Sequence, residues 1–224
     1  MINKDIQTEI DSLAHLAIEE HAERLLSSLE EKQTTMGLTQ ILYYYTLKSA
    51  LTSLSIGDNV QIGAAAFQGS SALQSVTLGE GVSIGDYAFQ NCTSLVSFNV
   101  ANKNINSIGE GAFMGCSSFT IFTIPSTVTV IEESTFENCT ELASISIPEG
   151  IQTIGDRAFY GCSGLTTITL PTTLTTIGDA AFASCFELTS IVIPESVQTL
   201  GEGAFEICYA LEEVTLPSSI TTIG

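Results

Sequence analysis

Tryptophan is absent from the 224 residues and positive charge is scarce: 6 Lys plus Arg stand against 25 Asp plus Glu, a formal net charge of −19. A field of that sign repels phosphate backbones and anionic headgroups, so nucleic acid is excluded as an expected partner. No apolar run approaches the ~18 residues of a transmembrane helix, which excludes membrane insertion by that route. Residues 1–5 lack the basic-then-apolar layout of a secretory signal. Histidine is confined to His15 and His21, and only Lys103 and Arg157 are basic after Lys48. There is no Gly-rich phosphate loop and no Cys-x-x-Cys pair. The expectation is a non-enzyme with no catalytic residues, no metal ligands and no cofactor.

What the sequence does contain is repetition. Phe67, Phe89, Phe113, Phe136, Phe159, Phe182 and Phe205 stand 22 to 24 residues apart, mostly 23. Three residues after each comes Ser70, Cys92, Cys116, Cys139, Cys162, Cys185 or Cys208, and three further on Leu73, Leu95, Phe119, Leu142, Leu165, Leu188 or Leu211. All five prolines (Pro125, Pro148, Pro171, Pro194, Pro217) share one later column, and an apolar pair and a glycine close the unit, as in Leu174-Thr175-Thr176-Ile177-Gly178. The 22-residue unit is short by one between Val60 and Ile62, and the 24-residue unit carries one extra in 101–104. Both changes fall at turns, where a length change is best tolerated.

Each unit converts into a coil of chain. Leu165-Thr166-Thr167-Ile168-Thr169-Leu170 alternates apolar and polar with β-branched residues, the pattern of a strand. The proline behind it lacks the donor for the next ladder bond and ends it. The Ile-x-x-Ile-Gly type of segment reads as a second short extended piece, and 156–162 as one brief helical turn capped by Asp156. One coil cannot bury its inward row, so neighbours must stack into a solenoid, strands ~4.8 Å apart, with Phe on Phe and Cys on Cys.

The recurring L-x-x-I-x-I-P-x-x-V-x-x-I-G-x-x-A-F-x-x-C unit resembles the BspA-like leucine-rich repeat, also called the TpLRR type, over residues 45–224. The resemblance implies a right-handed leucine-rich-repeat solenoid of about eight coils, built from short parallel strands with brief helical turns. It also implies kinship with bacterial surface proteins, several of them adhesins, and so a binding role without a particular partner.

Residues 1–44 do not repeat. Ile6, Ile10, Leu13 and Ala17 step by four, three and four, which predicts an amphipathic helix over 5–31, and so a helical N-terminal cap over the open end of the core. The chain stops in mid-repeat, at Gly224, which predicts a fragment of a longer protein or an end that stacks against something.

Four columns are candidates for function. The six cysteines occupy an inward position, where a free thiol acts as a small buried hydrophobe. Asp86, Glu110, Glu133, Asp156, Asp179 and Glu202 form an acidic column, expected to cap helical turns, with a Ca²⁺ ladder as the rival account. The outward row of the longer strands reads Ser53 and Ser55, Ser75 and Thr77, Ser97 and Asn99, Ile121 and Thr123, Ser144 and Ser146, Thr167 and Thr169, Ser190 and Val192, Glu213 and Thr215. It is hydroxyl-rich and nearly uncharged, a candidate docking face as well as an expression of β-propensity. Phe186 and Tyr209 replace small polar residues at the position after Cys in two neighbouring coils, a candidate aromatic anchor.

The expected function is a non-catalytic binding or adhesion module presenting the Ser/Thr-rich face, with Phe186 and Tyr209, to a protein or glycan partner. The alternative is a scaffold subunit that assembles through its cap helix and end-to-end at the C-terminal coil. The resemblance implies a cell-surface or extracellular setting, whereas unpaired thiols suit a reducing cytosol. The two readings stay open at this point.

Overall fold

The computed structural model describes residues 50–100 and 104–224. The expected cap helix, both histidines and most of the 101–104 insertion lie outside the described residues. Sixteen short strands follow one another among the described residues. The first eight are β1 (Ser53–Ile56), β2 (Gln61–Ile62), β3 (Ser75–Leu78), β4 (Ser83–Ile84), β5 (Ser97–Asn99), β6 (Ser107–Ile108), β7 (Ile121–Thr123) and β8 (Val130–Ile131). The rest are β9 (Ser144–Ser146), β10 (Thr153–Ile154), β11 (Thr167–Thr169), β12 (Thr176–Ile177), β13 (Ser190–Val192), β14 (Thr199–Leu200), β15 (Val214–Thr215) and β16 (Thr222–Ile223).

All pairings are parallel and join each strand to its counterpart one coil away, as a solenoid of about seven turns requires. The alternating pattern works as expected. Leu54, Phe122, Ile145, Ile168 and Ile191 are buried between exposed neighbours, and Val76 between half-buried Ser75 and exposed Thr77. Strands β7, β9, β11, β13 and β15 each end two residues before a proline.

The phenylalanines form a continuous stack. Centroids of successive rings from Phe67 to Phe205 lie 5.2–5.9 Å apart, and the ring planes stay within 15° of parallel. Each such pair contributes ~0.5–1.5 kcal/mol beyond area burial. All six cysteines are free and buried. Each thiol donates to the carbonyl of the Phe in the coil before: Cys139 to Phe113 at 3.2 Å and Cys162 to Phe136 at 3.1 Å. That same Phe136 oxygen also accepts the Cys139 N–H at 3.1 Å, so the thiol fills the second lone pair of a buried carbonyl. Alanine would fit the space and leave the acceptor half used.

The brief helical turns of the sequence reading are not helices. Among the described residues from 51 onward no helical element forms; the Phe segment is a run of successive tight turns. The residue two before each Phe and the residue two after it both have positive φ, as at Arg157 (φ 55) and Gly161 (φ 69) around Phe159. A right-handed helix cannot hold left-handed residues four apart. The alternation turns every other N–H outward along the stack. Arg157, Phe159 and Gly161 donate to Asp179, Ala181 and Ala183 of the next coil at 2.8–2.9 Å, while Tyr160 and Cys162 donate within the turn. The turns therefore make a third hydrogen-bond ladder beside the two sheets.

The stack has one structural fault. The long-strand sheet is broken between β5 and β7 and between β9 and β11, and the short-strand sheet between β6 and β8. Only the boundary between the third and fourth coils, among the described residues, interrupts both. The glycine that ends the short strand explains the second break. A Cβ on Gly155 would meet the Glu133 nitrogen at 2.7 Å and the Glu132 carbonyl carbon at 2.8 Å, so coils touch backbone to backbone there. In the fourth coil this position is Glu132, whose Cβ needs room, and β8 forms no ladder with β6. Bulky rings pack beside the break: Phe98 lies 4.7 Å from Phe113 and 6.1 Å from Phe122, at a position where most other coils place Val or Ile. The turn ladder continues across the fault through Gly111, Phe113 and Gly115, which donate to Glu133, Thr135 and Glu137.

Candidate binding surface

The outward strand row faces solvent almost without exception. Thr77, Ser97, Asn99, Ile121, Thr123, Ser144, Ser146, Thr167, Thr169, Ser190, Val192 and Thr215 are exposed, and Ser75 is half-buried. Parallel register places like positions side by side: Ser75 beside Ser97 and Thr77 beside Asn99, Ile121 beside Ser144 and Thr123 beside Ser146, Thr167 beside Ser190 and Thr169 beside Val192, which in turn lies beside Thr215. The two breaks divide the row into blocks of three, two and three strands. Two aliphatic side chains interrupt the hydroxyls, Ile121 at 67% and Val192 at 80% exposure.

Phe186 and Tyr209 do come together. Their rings stack at 5.7 Å and 15°, with exposures of 45% and 81%. They sit directly after the cysteine turn, on a different stretch of the coil from the strand row. Ile207, two residues before Tyr209, is 43% exposed and held at φ 60.

The acidic column works differently from its expected capping role. Asp156 accepts the backbone N–H of Asp179 at 2.8 Å, and Asp179 that of Glu202 at 2.7 Å; Asp86 holds Glu110 in the same way at 3.1 Å. Each aspartate therefore caps the coil after it, not its own turn. A second acidic corner repeats the device: Asp58 accepts from the Glu80 N–H, and Glu149 from the Thr172 N–H and hydroxyl. Among the described residues no group of three or more acids, cysteines or histidines is placed to hold a metal. At the fault, partial burial and the carboxylates of Glu133, Asp86 and Glu132 push the Glu110 carboxyl above its ordinary value, and it accepts a hydrogen bond from the Tyr87 hydroxyl.

Sequence reasoning missed one cluster. Arg157 donates to both carboxylate oxygens of Glu137, from Nη2 at 2.7 Å and Nε at 3.0 Å, across the boundary between the fourth and fifth coils. The Ser134 hydroxyl donates to the same carboxylate at 2.7 Å, and the Arg157 guanidinium lies 4.1 Å over the Tyr160 ring. Burial opposes ionisation of Glu137, but Arg157 and Ser134 together outweigh it and hold the carboxyl below its usual range. The signal was present: Arg157 is the lone arginine of the repeats.

These elements define a leucine-rich-repeat solenoid, and the comparisons name its class. The model for the BspA type leucine rich repeat region, in six copies, matches residues 38–146 and 129–224. The chain belongs to this family. Among solved structures it is similar to a leucine rich cell surface protein from Faecalibacterium prausnitzii A2-165, at 26% identity and a TM-score of 0.57, covering 76% of this chain and 62% of that one. It is also similar to the leucine rich repeat protein of T. pallidum, at 30% identity and a TM-score of 0.53, covering 73% and 66%. The matches thus span less than two thirds of either relative. No curated protein sequence matches the chain. The relatives found are leucine-rich-repeat proteins, and no enzymatic family is among them.

Proposed function

We propose that this chain is a non-catalytic binding module whose hydroxyl-rich strand row engages a protein or glycan partner. The observation that carries the reading is the contrast between the two sides of each long strand. The inward residues are buried, Phe98 and Val214 partly so, while the outward row from Ser53 to Thr215 is exposed except for half-buried Ser75 and nearly free of charge. Charges gather instead at the coil corners, where Asp and Glu brace the next coil and have a structural task. An uncharged hydroxyl lattice desolvates more readily than a charged face, and its donors and acceptors suit sugar hydroxyls or backbone amides. The relative from Faecalibacterium prausnitzii is described as a cell surface protein, a setting in which such a module has partners to bind.

The test is an array of purified extracellular-matrix proteins and glycans, probed with the full chain and with a variant carrying Thr123→Glu, Ser146→Glu and Thr169→Glu. All three residues are exposed strand positions, so no core contact is lost, and because Thr123 and Ser146 are register partners the melting temperature is read beside binding to separate charge repulsion from loss of contact. The expected result is a bound ligand whose affinity falls at least about tenfold in the variant. Equal binding by both proteins overturns the reading.

A further inference from the structure

One place on the strand face is built differently from the rest. Ile168 and Leu170 of one coil, with Val192 and Pro194 of the next, form the apolar part of an open trough whose rim carries Thr169, Thr172, Glu195 and Ser196. Val192 is the apolar exception in its column. The positions equivalent to Val192 are Ser55, Thr77, Asn99, Thr123, Ser146, Thr169 and Thr215, all polar.

Ser196 breaks a second regularity. Thr127, Thr173 and Ser219 hold the same place in their coils, and each donates its hydroxyl to a carbonyl 22 residues earlier: Ile105 at 2.6 Å, Ile151 at 2.7 Å and Val197 at 2.7 Å. The Ser196 hydroxyl oxygen is buried and has no hydrogen-bond partner. A buried polar atom left out of an otherwise regular ladder calls for a partner from outside. Beside it, Glu195 accepts only a long 3.3 Å bond from the Ser218 hydroxyl through one oxygen. The described residues hold a single basic side chain, Arg157, and it is committed to Glu137.

An apolar floor ending at a carboxylate and an unpartnered hydroxyl is the complement of an amphipathic cation. A lysine side chain supplies both halves: methylenes to lie along Val192 and Pro194, and an ammonium with three donors for Glu195 and Ser196. The excess of acidic residues raises the local concentration of such a group. We propose that the trough between the coils of Ile168 and Val192 receives a lysine side chain presented by an extended segment of a protein partner. The proposal rests on the strand face being a binding surface and narrows its partner from protein or glycan to a lysine-bearing protein segment.

The experiment titrates the full chain, labelled with ¹⁵N, with the peptide acetyl-Thr-Val-Lys-Val-Thr-amide and with its norleucine counterpart. Saturable amide shifts are expected at Val192, Glu195 and Ser196, with the norleucine peptide at least about tenfold weaker. Glu195→Gln and Val192→Ser should each weaken the lysine peptide about fivefold or more, while Glu141→Gln, an exposed acid on another part of the coil, leaves it unchanged. No saturable shift overturns the proposal, as does equal binding of the norleucine peptide or an equal loss in Glu141→Gln, the mark of diffuse charge attraction. The array keeps the two readings apart. A ligand lost with the triple glutamate variant but indifferent to Glu195→Gln sinks the trough and leaves the strand face standing. Peptide binding as expected, with array binding untouched by the triple variant, does the reverse.

Discussion

Arg157 reaches back one coil to Glu137 and closes a two-pronged ion pair, at 2.7 and 3.0 Å, around a carboxylate whose side chain is only 6% exposed. Removing the arginine strands that carboxylate. Because Arg157 itself is 43% exposed, the loss is smaller than for a fully buried pair: Arg157→Met should destabilise by ~2 kcal/mol, and adding Glu137→Gln should recover part of it. The pH dependence has a definite sign. The folded Glu137 carboxyl titrates below 4.5, its ordinary value, so its contribution is complete above that value and is lost as pH falls through the lowered folded one. Urea midpoints of wild type and Glu137→Gln should therefore differ at pH 7 and converge in acid.

The fault between the third and fourth coils should open before the rest. There both sheets lapse, only the turn ladder remains regular, and four carboxylates (Asp86, Glu110, Glu132, Glu133) crowd together. Hydrogen exchange reads this directly. The Glu132 amide should exchange at least about tenfold faster than those of Gly155 and Gly178, which donate to Ile131 and Ile154 across intact boundaries at 2.8 Å. Equal protection at the three sites contradicts the assignment.

Ile207 holds a left-handed conformation at φ 60 in a column otherwise filled by Gly, Asn and Ser. A β-branched side chain is strained there. Ile207→Gly should stabilise the chain by ~1 kcal/mol, a rise in melting temperature of a few degrees. The substitution leaves the core unchanged because Ile207 is 43% exposed. A fall in melting temperature would show that its side chain packs better than its backbone suffers.

What could be read from the sequence followed from what repeats. Phe159, Cys162, Leu165, Ile168 and Ile177 recur with period 23, and a periodic column has one explanation whichever coil it comes from. The burial of the cysteines and the exposure of Thr167 and Thr169 came with that period. The turn segment was misread because a run such as Asp156-Arg157-Ala158-Phe159-Tyr160-Gly161-Cys162 has helix-like composition; its left-handed residues at 157 and 161 become intelligible only when the alternate N–H groups are seen donating to the next coil. The aspartates were misassigned for the same reason, since a contact between Asp156 and Asp179 is 23 residues long and invisible to local pattern. Departures from the repeat were harder still. Glu132 among glycines, Val192 among hydroxyls and Arg157 among neutral residues each stand alone in a column, and their consequences lie in the neighbouring coil.

The central claim, that the strand row is the working surface, is tested most directly by placing a block on it. The six native thiols are buried, and burial pushes the Cys162 thiol up to about 12, so in the folded chain they do not compete for an alkylating reagent. A single thiol introduced by Ser146→Cys on the strand row, or by Asp179→Cys at the turn corner, can then carry a bulky maleimide adduct. The account predicts that the adduct at 146 abolishes binding of the array ligand and the adduct at 179 leaves it intact. Binding that survives the first adduct and is lost with the second would contradict it.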